Sequence, residues 1–208
     1  MSKIEAWRKV RGAVGTILGC GLFLFARAAA QDAAVVRAWL EPKSMRAPVT
    51  LPIAGAHRTE VALGRLTDEG VEPFSKAAFE TFGQSREQLF AAGCENAAAD
   101  LATLKPRYSR DRHQVIQYAE ISSTRPIVAS AVLAPKFASL FRDTLGDRVL
   151  VVVPNRYVAY VFPQLATRYQ EYYPMVFEAY GATAYPVSVE VFEFSVEGIK
   201  AVGVYERP

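Results

Sequence analysis

The chain has 208 residues, 51% of them hydrophobic and 22% charged, with a formal net charge of +3. That length supports one domain with a proper core, and that composition excludes a disordered chain. The basic excess does not mark a nucleic-acid binder. It sits in residues 1–30, where Lys3, Arg8, Lys9, Arg11 and Arg27 face only Glu5, and the remainder is close to neutral; a nucleic-acid interface needs its cations on the folded part.

Residues 1–30 read as a secretory signal peptide. A basic n-region ends at Arg11, an apolar h-region runs from Ala13 to Phe25, and Ala28-Ala29-Ala30 offers a cleavage site before Gln31. The expected location is therefore periplasmic or secreted. Two alternatives stay open. One is a membrane anchor through residues 13–30, since a span needs about 20 apolar residues and this run is borderline. The other is lipid attachment at Cys20, because Ile17-Leu18-Gly19-Cys20 looks like a lipobox, although apolar Gly21 to Phe25 follow it where a tether is normally polar. After cleavage Cys94 is the single cysteine, so no internal disulfide is expected and the core must stabilise the domain unaided.

Residues 31–58 read as an N-terminal extension or linker. Ala33, Val36 and Leu40 share a helical face that Pro42 ends, and Arg46-Ala47-Pro48 is extended. Residues 59–208 read as a single domain. Val49 to Ile53 and Thr59 to Leu66 are strand candidates, Thr67 to Gly70 a turn, and Pro73 to Phe82 a helical turn or two stopped by Gly83. Ser85 and Gln88 form a capping box, and Phe90, Cys94, Ala97, Leu101 and Leu104 then make a buried stripe, which predicts a helix over 86–103. Lys105 to His113 is polar and reads as a solvated loop. Gln114 to Ile121 reads as a strand. Leu133, Phe137, Leu140, Phe141 and Leu145 predict a helix over 126–145, kinked or split at Pro135 and capped by Gly146.

Val149 to Val153 is a run of five apolar residues, which suits a strand covered on both faces. Pro154 and Asn155 have turn chemistry, and an apolar and aromatic run resumes at Tyr157, so a central hairpin is expected over 149–162. Pro163 opens a third predicted helix, 163–180, bent at Pro174 and capped by Gly181, with an aromatic stripe more characteristic of core than of a ligand site. Val187, Val189 and Val191 alternate with polar residues as a strand, a phase shift at Phe192 suggests a bulge, and Ile199 to Tyr205 pairs back. The fold class is α+β: a mixed, largely antiparallel sheet covered by three main helices.

Little catalytic chemistry is visible. The chain carries no HExxH, CxxC, GxSxG or Walker loop, and no cofactor or metal is expected. His57 and His113 fall in predicted loops. A Cys94–His113 nucleophile and base is conceivable, but Cys94 lies on the apolar stripe, where a thiol is inert. Glu190 and Glu193 lie on opposite strand faces unless a bulge intervenes. The candidate binding residues are Asn155 and Arg156, held at the hairpin tip. If they only close a turn, Arg156→Ala costs less than about 0.5 kcal/mol; a large loss means a buried, paired guanidinium.

Ser85 to Leu104, Gln114 to Glu120, the stretch ending at Gly146, VLVVVPNRYVAYVF and VSVEVFEFSVEGIKAVGVY follow one another in an order that resembles the uncharacterised family called domain of unknown function 1444. The resemblance spans Glu60 to Tyr205. Its most specific part is Val153-Pro154-Asn155-Arg156; the family carries Val-Pro, a polar pair and then Asp-Val-Leu, and Tyr157 stands where that Asp belongs. The resemblance implies an architecture and no activity, and the leader departs from the family's cytosolic members. Two functions are expected: an exported, non-catalytic binding or assembly module of the cell envelope with an unknown protein or small-molecule partner, or a small hydrolase. A concave pocket holding Asn155, Arg156 and a titratable partner favours the hydrolase, and a convex tip favours the binding module. No nucleic acid is expected as partner, and contact with the membrane is expected only through an uncleaved leader.

Overall fold

The computed structural model describes residues 36–67, 70–166 and 168–206. The expected signal peptide, its cleavage site and Cys20 lie outside the described residues. The domain is α+β, built on two antiparallel sheets.

The smaller sheet contains β1 (Val36–Pro42), β2 (Thr50–Pro52), β3 (Thr59–Thr67) and β4 (Gly70–Pro73). β1 pairs along one edge of β3, from Val36 opposite Arg65 to Pro42 opposite Thr59. The other edge is shared by β2 and β4. Val36, Ala38, Trp39 and Leu40 are all buried. This corrects two expectations over the described part of 31–58, the short helix and the linker, since β1 is part of the core; residues 31–35 lie outside the described residues. A short, mostly apolar stretch such as Val36 to Leu40, with Arg37 inside it, fits either period, and β3 decides between them by offering a pairing edge.

Helix α1 (Lys76–Glu80) and helix α2 (Arg86–Ala102) follow. The capping box forms as expected: Ser85 Oγ accepts from Gln88 N at 3.2 Å, and Gln88 Oε1 accepts from Ser85 N at 2.9 Å. α2 buries Leu89, Gly93, Cys94, Ala97 and Leu101. Gly93 is required by close approach, because a Cβ there would stand 2.7 Å from Ala38 N on β1. Asn96 donates to Val36 O at 2.9 Å, which ties the helix to the first strand residue.

The larger sheet runs β10-β9-β7-β8-β6-β5, with every neighbour antiparallel. Its strands are β5 (Arg107–Arg110), β6 (Ile116–Ser122), β7 (Val149–Asn155), β8 (Val158–Pro163), β9 (Glu190–Ser195) and β10 (Gly198–Val204). β5 lies within the stretch that reads as a solvated loop. It is an edge strand with exposed Arg107 and Arg110 at its ends, a composition that blunts edges against further pairing. The expected central hairpin is β7–β8, and all seven residues of β7 are buried. Val149, Val151 and Val153 face the core shared with β1, β3 and α2, while Leu150 and Val152 face a second core with Tyr160, Phe162, Val176 and Tyr205. Burial on both faces is why this run does not alternate. Val151→Ala is expected to cost about 1–3 kcal/mol through lost transfer energy and a cavity, measured as a shift of the urea midpoint at constant m-value.

Two of the three predicted helices are not continuous. In place of 126–145 stand α3 (Val128–Ala131) and a 3-10 turn at Ala138–Phe141, separated at Pro135, whose missing N–H interrupts the ladder. Gly146 ends the segment at φ +105°. In place of 163–180, Pro163 closes β8, a 3-10 turn spans Tyr169–Tyr172, and α4 covers Tyr173–Gly181. Pro174 lies in the first turn of α4, so it starts that helix rather than bending it. α4 and the tyrosines before it cover the second face of the sheet. The irregularity expected at Phe192 falls on the partner strand, where the register shifts between Ala201 and Gly203. β9 breaks its alternation for the same reason as β7: both its faces are covered.

Candidate functional site

The β7–β8 turn does not present a tip. Asn155 and Arg156 are buried, the latter only 9% exposed, which corrects the expectation of an exposed recognition point. Asn155 Oδ1 accepts from Tyr157 N at 2.8 Å and Val158 N at 3.1 Å, and its Nδ2 donates to Ala179 O of α4 at 2.6 Å. The first two bonds close an Asx-type turn; the third binds that turn to the helix. Arg156 points the other way. Its Nη2 reaches both oxygens of Glu41, at 2.9 and 2.8 Å, and Glu41 is 1% exposed. Trp39 Nε1 donates to the same carboxylate at 2.6 Å, and the guanidinium carbon lies 5.3 Å from the Tyr185 ring centroid. The Arg156 carbonyl accepts from Val128 N at the start of α3, at 3.0 Å. One turn therefore joins both sheets and two helices.

The polar seam continues beside it. Glu190 Oε1 accepts from His57 N at 2.7 Å and Arg58 N at 3.1 Å. The Thr59 hydroxyl donates to Ser188 Oγ at 2.6 Å, and that oxygen also accepts from Glu190 N. Buried polar groups need partners; Glu190 Oε1 and the Ser188 hydroxyl find theirs on His57, Arg58 and Thr59, more than a hundred positions away, while Glu190 Oε2 is buried with no hydrogen-bond partner. Sequence reasoning missed Glu41, Trp39, Thr59 and Ser188. The signal that could have found Glu41 is a carboxylate directly after a run of core residues, which demands a buried cation.

Glu190 and Glu193 do not meet. Glu193 lies on the opposite face, held by Lys200 at 3.0 Å and Arg148 at 3.4 Å. The Lys200 hydrogen bond, against an opposing desolvation effect, keeps its carboxyl below the usual range.

Cys94 and His113 do not form a pair. His113 is exposed on the β5–β6 turn, where its neighbour Arg112 contacts it at 3.1 Å. Cys94 is 7% exposed in α2, and burial, helped by the Glu95 charge, pushes its thiol up to about 12. Native protein is expected to react slowly with a thiol reagent at neutral pH and rapidly once unfolded, followed by absorbance with and without urea; fast labelling of folded protein would revive the nucleophile. The shift also sets a pH dependence. The buried thiol stays protonated where the unfolded thiol, near ~8.5, has ionised. Its stabilising contribution is thus complete below that value and is lost as pH rises toward about 12.

Several recesses open on the surface of the described residues, and two of them are lined by tyrosines of the segment Tyr169–Gly181. The larger, about 540 Å³, lies between the β5–β6 hairpin and the segment after β8, with Arg110, Asp111, Gln117, Arg168, Glu171 and Tyr172 in its walls. Its charges are matched locally: Arg168 pairs with Glu171, and Asp111 accepts from His113 N, Val115 N and Gln117 Nε2. The smaller, about 250 Å³, lies beside the buried seam between Lys43, Ser44, Arg58 and Tyr180. Among the described residues no group of three or more His, Cys, Asp or Glu side chains is placed to hold a metal ion, and no helix is long and apolar enough to cross a membrane.

No family model, curated protein or solved structure matches the chain.

Proposed function

We propose that this domain is a non-catalytic binding or assembly module, exported to the cell envelope by its N-terminal segment. The observation that carries the reading is the commitment of Arg156. The buried cation is bonded to Glu41, whose carboxylate also takes the Trp39 indole N–H, and lies near the Tyr185 ring, so it serves the scaffold. What is offered to a partner includes the two tyrosine-lined recesses, both built on pinned backbone rather than on a nucleophile and base. The thiol is sealed in α2, and the histidines sit on separate surface loops. Those features speak against the hydrolase, whose site would need a nucleophile within hydrogen-bond reach of a base. The resemblance to domain of unknown function 1444 remains part of the proposal as an architecture alone.

The reading is tested by affinity capture of the tagged chain from envelope extracts after cross-linking in cells, together with mass spectrometry of its N-terminus. Export predicts a chain beginning Gln31-Asp32 in the periplasmic or secreted fraction. An intact N-terminus in the membrane fraction would replace secretion with anchoring, a diacylated Cys20 would make the chain a lipoprotein, and a full soluble chain in the cytoplasm would sink the envelope reading. Reproducible turnover of ester or amide substrates by the pure protein would restore the hydrolase.

A further inference from the structure

The smaller recess has a charge pattern of its own. Several surface arginines stand next to carboxylates: Arg65 with Glu72, Arg107 with Glu120, Arg142 with Asp147 and Arg148 with Glu197, all within 2.8 Å. Lys43 and Arg58 line the recess together, no carboxylate lines it, and no ion pair reaches either cation among the described residues. The two are also held close by the backbone, since Lys43 N donates to Arg58 O at 2.8 Å. Lys43 Nζ is steadied on Ala56 O at 2.9 Å, and the His57–Arg58 backbone is pinned to the Glu190 carboxylate. Two like charges fixed on tethered backbone repel each other unless an anion lies between them.

The carboxylates behind the wall do not cancel this field. Glu41 is neutralised by Arg156. Glu190 is buried with one oxygen on two amide N–H groups, and leaves a single negative charge against the two cations. Ser44 and Tyr180 line the same recess, with Pro42, Val187 and Val189 as an apolar flank. An ammonium and a guanidinium on separate residues, with hydroxyl-bearing Ser44 and Tyr180 in the same lining, suit an oxyanion with three free oxygens better than a flat carboxylate, which a single guanidinium fork satisfies.

We propose that this recess is a binding site for a small phosphorylated ligand, with its phosphoryl group between Lys43 and Arg58 and its apolar body against Pro42, Val187 and Val189. The inference rests on the binding-module reading and gives it a ligand class.

The test is isothermal titration of the purified full chain with phenyl phosphate, with benzoate and inorganic phosphate as comparisons. Phenyl phosphate is expected to bind saturably at one site, more tightly than inorganic phosphate, which lacks the apolar body, and more tightly than benzoate. Arg58→Gln and Lys43→Gln, made separately, are each expected to weaken it by about tenfold or more, as loss of a charge-assisted hydrogen bond does. Both residues are exposed, so an unchanged Tm is expected to accompany the loss. Absence of saturable binding overturns the proposal, as does binding indifferent to both substitutions. Equal affinity for benzoate overturns the phosphoryl assignment. Lost phenyl phosphate binding in the two variants with undiminished capture of an envelope partner assigns the recess to the ligand and the partner to another face. Capture of a partner by a chain that never binds phenyl phosphate removes this site while leaving the binding-module reading standing.

Discussion

Arg156→Ala is expected to destabilise the domain by about 3–5 kcal/mol, the cost of breaking a buried ion pair by removing one partner. The substitution leaves the Glu41 carboxylate almost wholly enclosed, with the Trp39 indole N–H as its remaining donor. A charge so placed must protonate or draw water into the core, and either outcome loosens the join between the two sheets. It also removes the cation that Tyr185 covers. Urea unfolding followed by fluorescence reads the effect directly, because Trp39 is the only tryptophan beyond residue 7. Glu41→Gln, which keeps the shape and the indole bond, is expected to lose less than Glu41→Ala. A loss under about 0.5 kcal/mol for Arg156→Ala would return this residue to the class of surface turn residues.

Phe137→Ala is expected to cost about 3–5 kcal/mol, the usual range for a buried phenylalanine. Phe137 is held in the main core by Phe141 at 5.4 Å and Phe194 of β9 at 5.3 Å between ring centroids. It stands on the stretch between α3 and the following 3-10 turn, where its N–H donates to Ala134 O at 2.9 Å and its carbonyl accepts from Leu140 N at 3.1 Å. Thermal denaturation is expected to show a clear fall in Tm. Leu140→Ala on the same stretch is the control, since that side chain is exposed and its loss is expected to stay within about 0.5 kcal/mol. Similar costs for the two would mean that this stretch does not anchor the core.

Both predictions concern residues whose type was readable and whose setting was not. The aromatic spacing over 133–145 is real, because Phe137 and Phe141 do share a core. A common face arose without a continuous helix, since the single 3-10 turn after Pro135 begins next to Phe137 and ends on Phe141 and sets their rings 5.4 Å apart. Asn155 was singled out correctly as a turn former, yet its side chain serves the turn and α4 instead of a ligand. The smaller recess was not visible at all. Lys43 and Arg58 lie in a stretch that reads as a linker, and their closeness follows from β1 and β3 pairing up to Pro42 and Thr59.

What the sequence by itself determined is the set of features closed by neighbours a few positions apart. The capping box at Ser85 and Gln88, α2 behind it, the Gly146 stop, the β7–β8 hairpin and the doubly covered run Val149 to Val153 belong here. Each depends on local hydrogen bonds, φ preference or an uninterrupted apolar run. The tertiary structure alone decided that Val36 to Pro42 is a strand, that Arg107 to Arg110 forms a sheet edge, and that Arg156 turns inward. Those outcomes depend on partners brought from afar: β3 for β1, β6 for β5, and for Arg156 a carboxylate 115 residues earlier in the chain. A short apolar or charged segment carries no record of which edge or which counter-ion will meet it, because the free energy that settles its conformation is released only when that partner arrives.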